Sequence, residues 1–212
     1  MNFGPGIKPL QVMLNMQNEL NNRIDTGWLV ARYDWHRALM MEACEALDHY
    51  GWKWWKAQPA PTGNAQIQLE LVDMWHFVLS IALQNADGVY HVAAQRLHEA
   101  FSHPPTDVLD AHPRNLLDNM IGYAARKRIS TSCFMTLMQQ FDLSWERLYK
   151  IYVAKNVLNT FRQDHGYAQG TYRKTWGGKE DNEVLAELME REPNHGPGDL
   201  RKALEGAYKG SS

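Results

Sequence analysis

Apolar positions recur at helical spacing along nearly the whole chain, and acids or amides interrupt them at only a few points. Leu10, Met13, Leu14, Leu20 and Ile24 fall on one stripe and predict a helix over about 9–23, broken by Asp25-Thr26-Gly27. Two amides, Gln17 and Asn21, lie in the same stripe. An amide on a buried face needs partners for its donor and its acceptor. Pairing with nearby backbone and reading the edge of a bound base both meet that need. Asp34 is placed to cap a helix from Trp35 to about Tyr50, with Gly51 at its end. A loop rich in Pro and Gly follows, with Pro59, Pro61 and Gly63, and is expected to be exposed. Asn64 then caps a helix over 65–84 whose stretch 67–83 is apolar almost all round, the mark of a central helix. Its exceptions are Glu70, Asp73 and His76, with Phe77 one turn beyond Asp73.

Further helices are expected over 89–101, stopped by His103-Pro104-Pro105, then over 106–111, 113–127 and about 131–141. Ser144 opens a long one over 145–164, and another covers 180–192. From Pro193 the chain reads as a flexible tail around a short helix at 200–208. No alternating stretch bounded by hairpin turns is present, so the expected fold class is all-α. It is a compact helical bundle in a single domain over 1–212, with the acid-bearing helices facing one another.

The acids inside the apolar helices suggest chemistry. Glu42 and Glu45 form one pair and Glu70 and Asp73 a second, each three residues apart, so each pair points two carboxylates the same way. Burying four acids side by side is unfavourable unless something positive sits among them. A hard divalent cation, which prefers oxygen ligands, answers that need. Lys155, Asn159 and Arg162 share one face of the 145–164 helix, and the segment 166–178 is dense in glycines, aromatics and bases, including Tyr167, Tyr172, Arg173 and Lys174. Glycines permit close backbone approach, and Arg, Lys and Tyr suit phosphate oxygens. The set reads as a magnesium-dependent helical enzyme acting on a phosphorylated substrate.

Composition narrows this picture. The 212 residues are 44% hydrophobic, enough for a real core. A formal charge of -2 argues against general binding to nucleic acid or an anionic membrane surface. Cys44 and Cys133 are expected as free thiols of a reducing, cytoplasmic compartment. No secretory leader and no apolar run long enough to span a membrane are expected. Most of the eight tryptophans should serve as core or site walls.

Four stretches carry a family resemblance: LNMQNELN (14–21), MEACEALDHYGWKWWK (41–56), ELVDMWHFVL (70–79) and KNVLNTFRQDHGYAQGTYRKTWGGKEDN (155–182). In these the chain resembles the dimeric all-α dUTPases, part of a wider group of all-α nucleotide pyrophosphatases that includes the MazG-type enzymes. The resemblance implies hydrolysis of dUTP to dUMP and pyrophosphate, with dUDP as a further substrate. It implies Mg²⁺, two or more ions per site, with Mn²⁺ able to substitute. It assigns Glu42, Glu45, Glu70 and Asp73 as metal ligands, with Glu42 or Glu45 acting on the attacking water. Gln17 and Asn21 would lie near the uracil, with Trp54, Trp55, His76 and Phe77 around base and sugar. Lys155, Asn159, Arg162, Tyr167, Tyr172 and Lys174 would hold the nucleotide and its phosphates, and charge alone adds Arg173. It also implies a homodimer whose sites share residues across the interface, and a variable helical insertion at about 85–143. A broader nucleoside triphosphate pyrophosphatase and a non-catalytic helical interaction protein are the competing readings; the intact acid set speaks against the second.

Overall fold

The helical periodicity is realised as ten helices among the residues described in a computed structural model: 4–55, 63–103, 112–192 and 196–210. The expectations for Pro59, Pro61, Pro104-Pro105, the piece at 106–111 and Pro193 lie outside these residues. The chain forms two compact units. One takes in residues up to Asn18 and Gly27–Tyr152; the other takes in Glu19–Thr26 and the chain from Val153 on.

The first unit is organised around α4 (Gly63–Asn85), where Leu71, Val72, Met74, Trp75, Val78, Leu79 and Leu83 are fully buried. α3 (Trp35–Tyr50) packs on α4 and on α6 (Pro113–Ala125). It turns Leu39, Ala43 and Ala46 inward, and the two alanines let the helix backbones come close. The Asp34 carboxylate caps α3 as expected, accepting from the Arg37 N–H at 3.2 Å. α5 (Tyr90–Ser102) and α7 (Thr131–Gln140) complete this core, α7 capped by Ser130, which accepts from the Cys133 N–H at 3.2 Å. At its centre Trp75 meets Phe101, Phe134 and Trp145 with ring centroids 5.3, 5.6 and 5.3 Å away.

In the second unit, Ala154, Val157, Leu158 and Phe161 of α8 (Trp145–Asp164) form a buried cluster with Trp176, Leu185, Leu200 and Leu204. Leu185 comes from α9 (Asp181–Arg191), whose first turn is closed by a capping box between Glu180 and Glu183.

Four expectations need correction. A short helix, α2 (Trp28–Ala31), follows α1 (Ile7–Ile24); four residues are too few to show a period, and burial of Trp28 holds it. Asn64 is not a cap, because α4 starts at Gly63. A small antiparallel hairpin does occur: β1 (Thr175–Trp176) pairs with β2 (Lys179–Glu180) across Gly177 and Gly178, whose φ values of 57° and 85° suit a tight turn of the kind that glycines permit. Two-residue strands leave no alternation to read. Residues 197–210, expected within the flexible tail, form α10 (Pro197–Gly210), longer than the helix foreseen at 200–208. Leu200 and Leu204 lie one turn apart, and their burial outweighs the glycines at 206 and 210.

Trp75, on α4, is with Trp28 the largest fully buried side chain among the described residues. Trp75→Ala is expected to lower stability by about 3–5 kcal/mol, because the rings around it cannot close the cavity. A shift of the urea midpoint with unchanged slope would show this; a loss under about 1 kcal/mol would contradict it.

Candidate functional site

The acids of α3 and α4 meet because both helices present them beside a close-packed seam. Glu42 and Glu45 flank the inward Ala43 and Ala46 of α3, and Glu70 lies on the α4 face that α3 covers. Carboxylate oxygens of Glu42, Glu45 and Glu70 all lie within 4.8 Å of one another. Glu70 is only 5% exposed, Glu42 is half-buried and Glu45 is exposed. Gln66 donates to Glu70 Oε1 at 2.8 Å, and His49 Nε2 stands 3.3 Å from the same oxygen. Three like-charged groups this close repel one another, and a hard divalent cation fits an all-oxygen donor set of this kind. Asp73, three residues on along α4 and half-buried, stands outside the group of three.

A second polar group lies in the same unit. Gln17 is 3% exposed, and its Oε1 is 2.8 Å from His76 Nδ1 and 3.2 Å from the Tyr152 hydroxyl. That hydroxyl donates to the Met13 carbonyl at 2.8 Å, and the Tyr152 and His76 rings lie 4.4 Å apart. The amide of Gln17 is therefore fixed by side chains as well as by the helix. Phe77, half-buried, stacks on Trp35 at 6.3 Å. Asn21, in the stretch of α1 that belongs to the second unit, is buried at 2% exposure. Trp54 and Trp55 lie at the surface. They are 88% and 55% exposed and pack edge-on with one another at 5.7 Å.

In the second unit the cationic face of α8 is organised by an acid. Asp181, fully buried at the start of α9, accepts two bonds of 2.8 Å from Arg162, through Nε and Nη2, and one of 2.8 Å from the Tyr172 hydroxyl. Arg162 Nη1 donates to Asn159 at 2.9 Å, and Lys155 Nζ donates to Asn182 at 3.2 Å. Burial would push the Asp181 carboxyl up, but the Arg162 fork and the Tyr172 hydroxyl outweigh it and hold it below the usual carboxylate range. Burial likewise works against the charge on Arg162, and Asp181 overrides it, so the guanidinium is more basic than usual. Tyr172 is pushed well above an ordinary phenol by burial and by its bond to Asp181. Tyr167 is half-exposed, 6.0 Å from the Arg162 guanidinium. Lys174 pairs with Glu180 at 3.3 Å on the surface, and Arg173 lies over the Tyr208 ring at 4.5 Å.

Sequence reasoning passed over Tyr152, Asp181 and Asn182 as individual site members. An acid in the first turn of a helix is common, so the spacing of Asp181 carried no signal of its own. Only the three donors gathered on its carboxylate reveal it.

A family model described as dUTPase matches residues 9–167 of the chain. No curated protein matches it.

The lowered Asp181 carboxyl makes a signed prediction. The stability it contributes is present above the unfolded aspartate value of about 3.9 and is lost as pH falls through its own, lower value. Asp181→Asn should therefore be less stable than the parent at neutral pH, and the gap should narrow in strong acid. Thermal melts of both proteins from about pH 7 to pH 2 would check this; a pH-independent gap would contradict the assignment.

Proposed function

The chain belongs to the all-α dUTPase family, which makes it a dUTP diphosphatase, and on that premise we propose that it cleaves dUTP to dUMP and pyrophosphate at Mg²⁺ held by Glu42, Glu45 and Glu70. The convergence of these three carboxylates within 4.8 Å carries the reading. When bound, Mg²⁺ supplies the positive charge that polarises the phosphate and makes a coordinated water acidic. The protein's own part is positioning and proton transfer. Glu70 is pinned by Gln66 and His49, which suits a ligand that must not move. Glu42 and Glu45 are more open, so one of them takes the proton of the water that attacks phosphorus. Asp73 sits on the same helix one turn beyond Glu70 and is assigned to a further ion or its waters.

Base selection is assigned to Gln17. Its Oε1 is held by His76 and Tyr152, and in this reading the amide NH₂ meets the base. An NH₂ donates to a uracil carbonyl and meets an amino group, a second donor, on cytosine. Asn21, His76, Phe77, Trp54 and Trp55 complete the surroundings of base and sugar in this reading. The phosphates are assigned to Lys155, Asn159, Arg162, Tyr167, Tyr172, Arg173 and Lys174. The buried Lys155 supports this, as does the Arg162 charge that Asp181 stabilises. We further infer a homodimer, acceptance of dUDP and a cytoplasmic location, a reading that the family likeness supports. Among the described residues no helix is long and apolar enough to cross a membrane.

Glu45→Gln is expected to fold normally and to lose at least about a hundredfold in kcat, because a neutral amide is a poor Mg²⁺ ligand. Calorimetric titration of Mg²⁺ into the nucleotide-free protein should show weakened binding in the same variant. Near-parental turnover would count against the metal assignment. Pyrophosphate release from dUTP, dCTP, dTTP and UTP, with Mg²⁺ and with EDTA, tests the Gln17 reading. Comparable rates on dCTP would place the protein among the broader pyrophosphatases.

A further inference from the structure

The segment after α8 holds Tyr172 and Arg173 in a basic, glycine-flanked loop that no long strand or helix supports. Yet both side chains have fixed neighbours, and the neighbour they share is Tyr208 on α10. The Tyr172 and Tyr208 rings are parallel within 4°, their centroids 5.7 Å apart. The Arg173 guanidinium lies 4.5 Å from the centre of the Tyr208 ring, and its Nη2 donates to the Tyr208 carbonyl at 2.9 Å. The Arg173 backbone N–H points at the Tyr208 hydroxyl at 3.5 Å, while its carbonyl accepts from the Trp176 indole at 2.7 Å. Tyr208 meets Trp176 and Phe161 edge-on at 5.2 and 5.4 Å. α10 is itself anchored, with Leu200 and Leu204 buried and Arg201 donating to Asp164 at 2.6 Å.

We propose that Tyr208 is a positioning residue for dUTP hydrolysis, a fixed aromatic plate on α10 against which Tyr172 and Arg173 are seated for the nucleotide's phosphates. This rests on the assignment of those two residues to phosphate binding. The physical basis is preorganisation. A long Arg side chain on a loop loses rotamer freedom when it grips a ligand, and a face that already fixes it removes part of that cost. Ring stacking and the cation–π contact are both properties of the Tyr208 ring rather than of its hydroxyl. α10 lies beyond residue 167, where the family match ends.

The test compares Tyr208→Ala, Tyr208→Leu and Tyr208→Phe with Tyr172→Phe and Arg173→Ala, each as the full chain. Steady-state kinetics on dUTP are combined with melting curves and Mg²⁺ titration. Tyr208→Ala should raise KM about tenfold with kcat within about twofold of the parent, the loss of one stacking and one cation–π contact. Mg²⁺ binding without nucleotide should be unchanged. Tyr208→Phe keeps the ring and should keep the parental KM. Tyr208→Leu fills the space without offering a flat face, so it should behave as the Ala variant does, and it replaces that variant if Ala fails to fold. Arg173→Ala and Tyr172→Phe should each raise KM. If these two do so while Tyr208→Ala and Tyr208→Leu do not, the positioning role is overturned and the phosphate assignment stands. If none of the variants changes KM, the phosphate assignment fails and the inference falls with it. A Tyr208 effect without any from Tyr172 and Arg173, or a fall in kcat alone that tracks loss of folded protein, would also overturn it.

Discussion

Glu70 lies almost wholly out of water on the central helix of its unit, and the oxygens of Glu42 and Glu45 come within 4.8 Å of its own. Like charges in such a place raise the energy of the fold unless a cation joins them. The helix pair α3 and α4 is nevertheless built to create this situation. Ala43 and Ala46 bring the backbones close, the Asp34 cap sets where α3 begins, and Gln66 and His49 orient Glu70 from one side. Stability is held back at the seam and recovered in the apolar layers around it, above all the rings packed on Trp75. In the proposed reading, carboxylates already gathered on two helices need little rearrangement to receive a metal-bound triphosphate.

The second unit treats a buried acid in the opposite way. Asp181 is completely enclosed, and it is satisfied within the protein by the fork of Arg162 and the hydroxyl of Tyr172. One carboxylate thus sets the direction of a cation and a phenol, and Asn159 and Asn182 extend the network to Lys155. The Gly177-Gly178 turn and its two-residue strands bring the chain from the basic segment back to the first turn of α9, where Asp181 sits. The hairpin is small, but it closes that network.

Between these extremes lies the Gln17, His76 and Tyr152 group, linked by hydrogen bonds and almost fully buried. Selectivity between bases depends on donors and acceptors held in one orientation, and the role proposed for Gln17 rests on its amide being buried and fixed by two side chains. Trp54 and Trp55 are the contrast, exposed on the surface where no such constraint acts.

The amino-acid sequence by itself determined the helices, because their signals are local. Apolar residues at helical spacing, Asp34 and Ser144 before their helices and Gly51 after one are read from neighbours a turn away. It also determined that Glu42 and Glu45 share a face, as do Glu70 and Asp73, and it carried the motifs of the dUTPase family. Tertiary structure decided which of these acids meet, since that depends on how α3 and α4 pack: Glu70 joins the α3 pair and Asp73, one turn on, does not. It decided that Asp181 organises Arg162 and Tyr172, a convergence of residues up to nineteen positions apart that no periodicity encodes. It decided, too, that the short helix foreseen at 200–208 is anchored rather than part of a loose tail, because Leu200 and Leu204 are buried in the cluster with residues of α8.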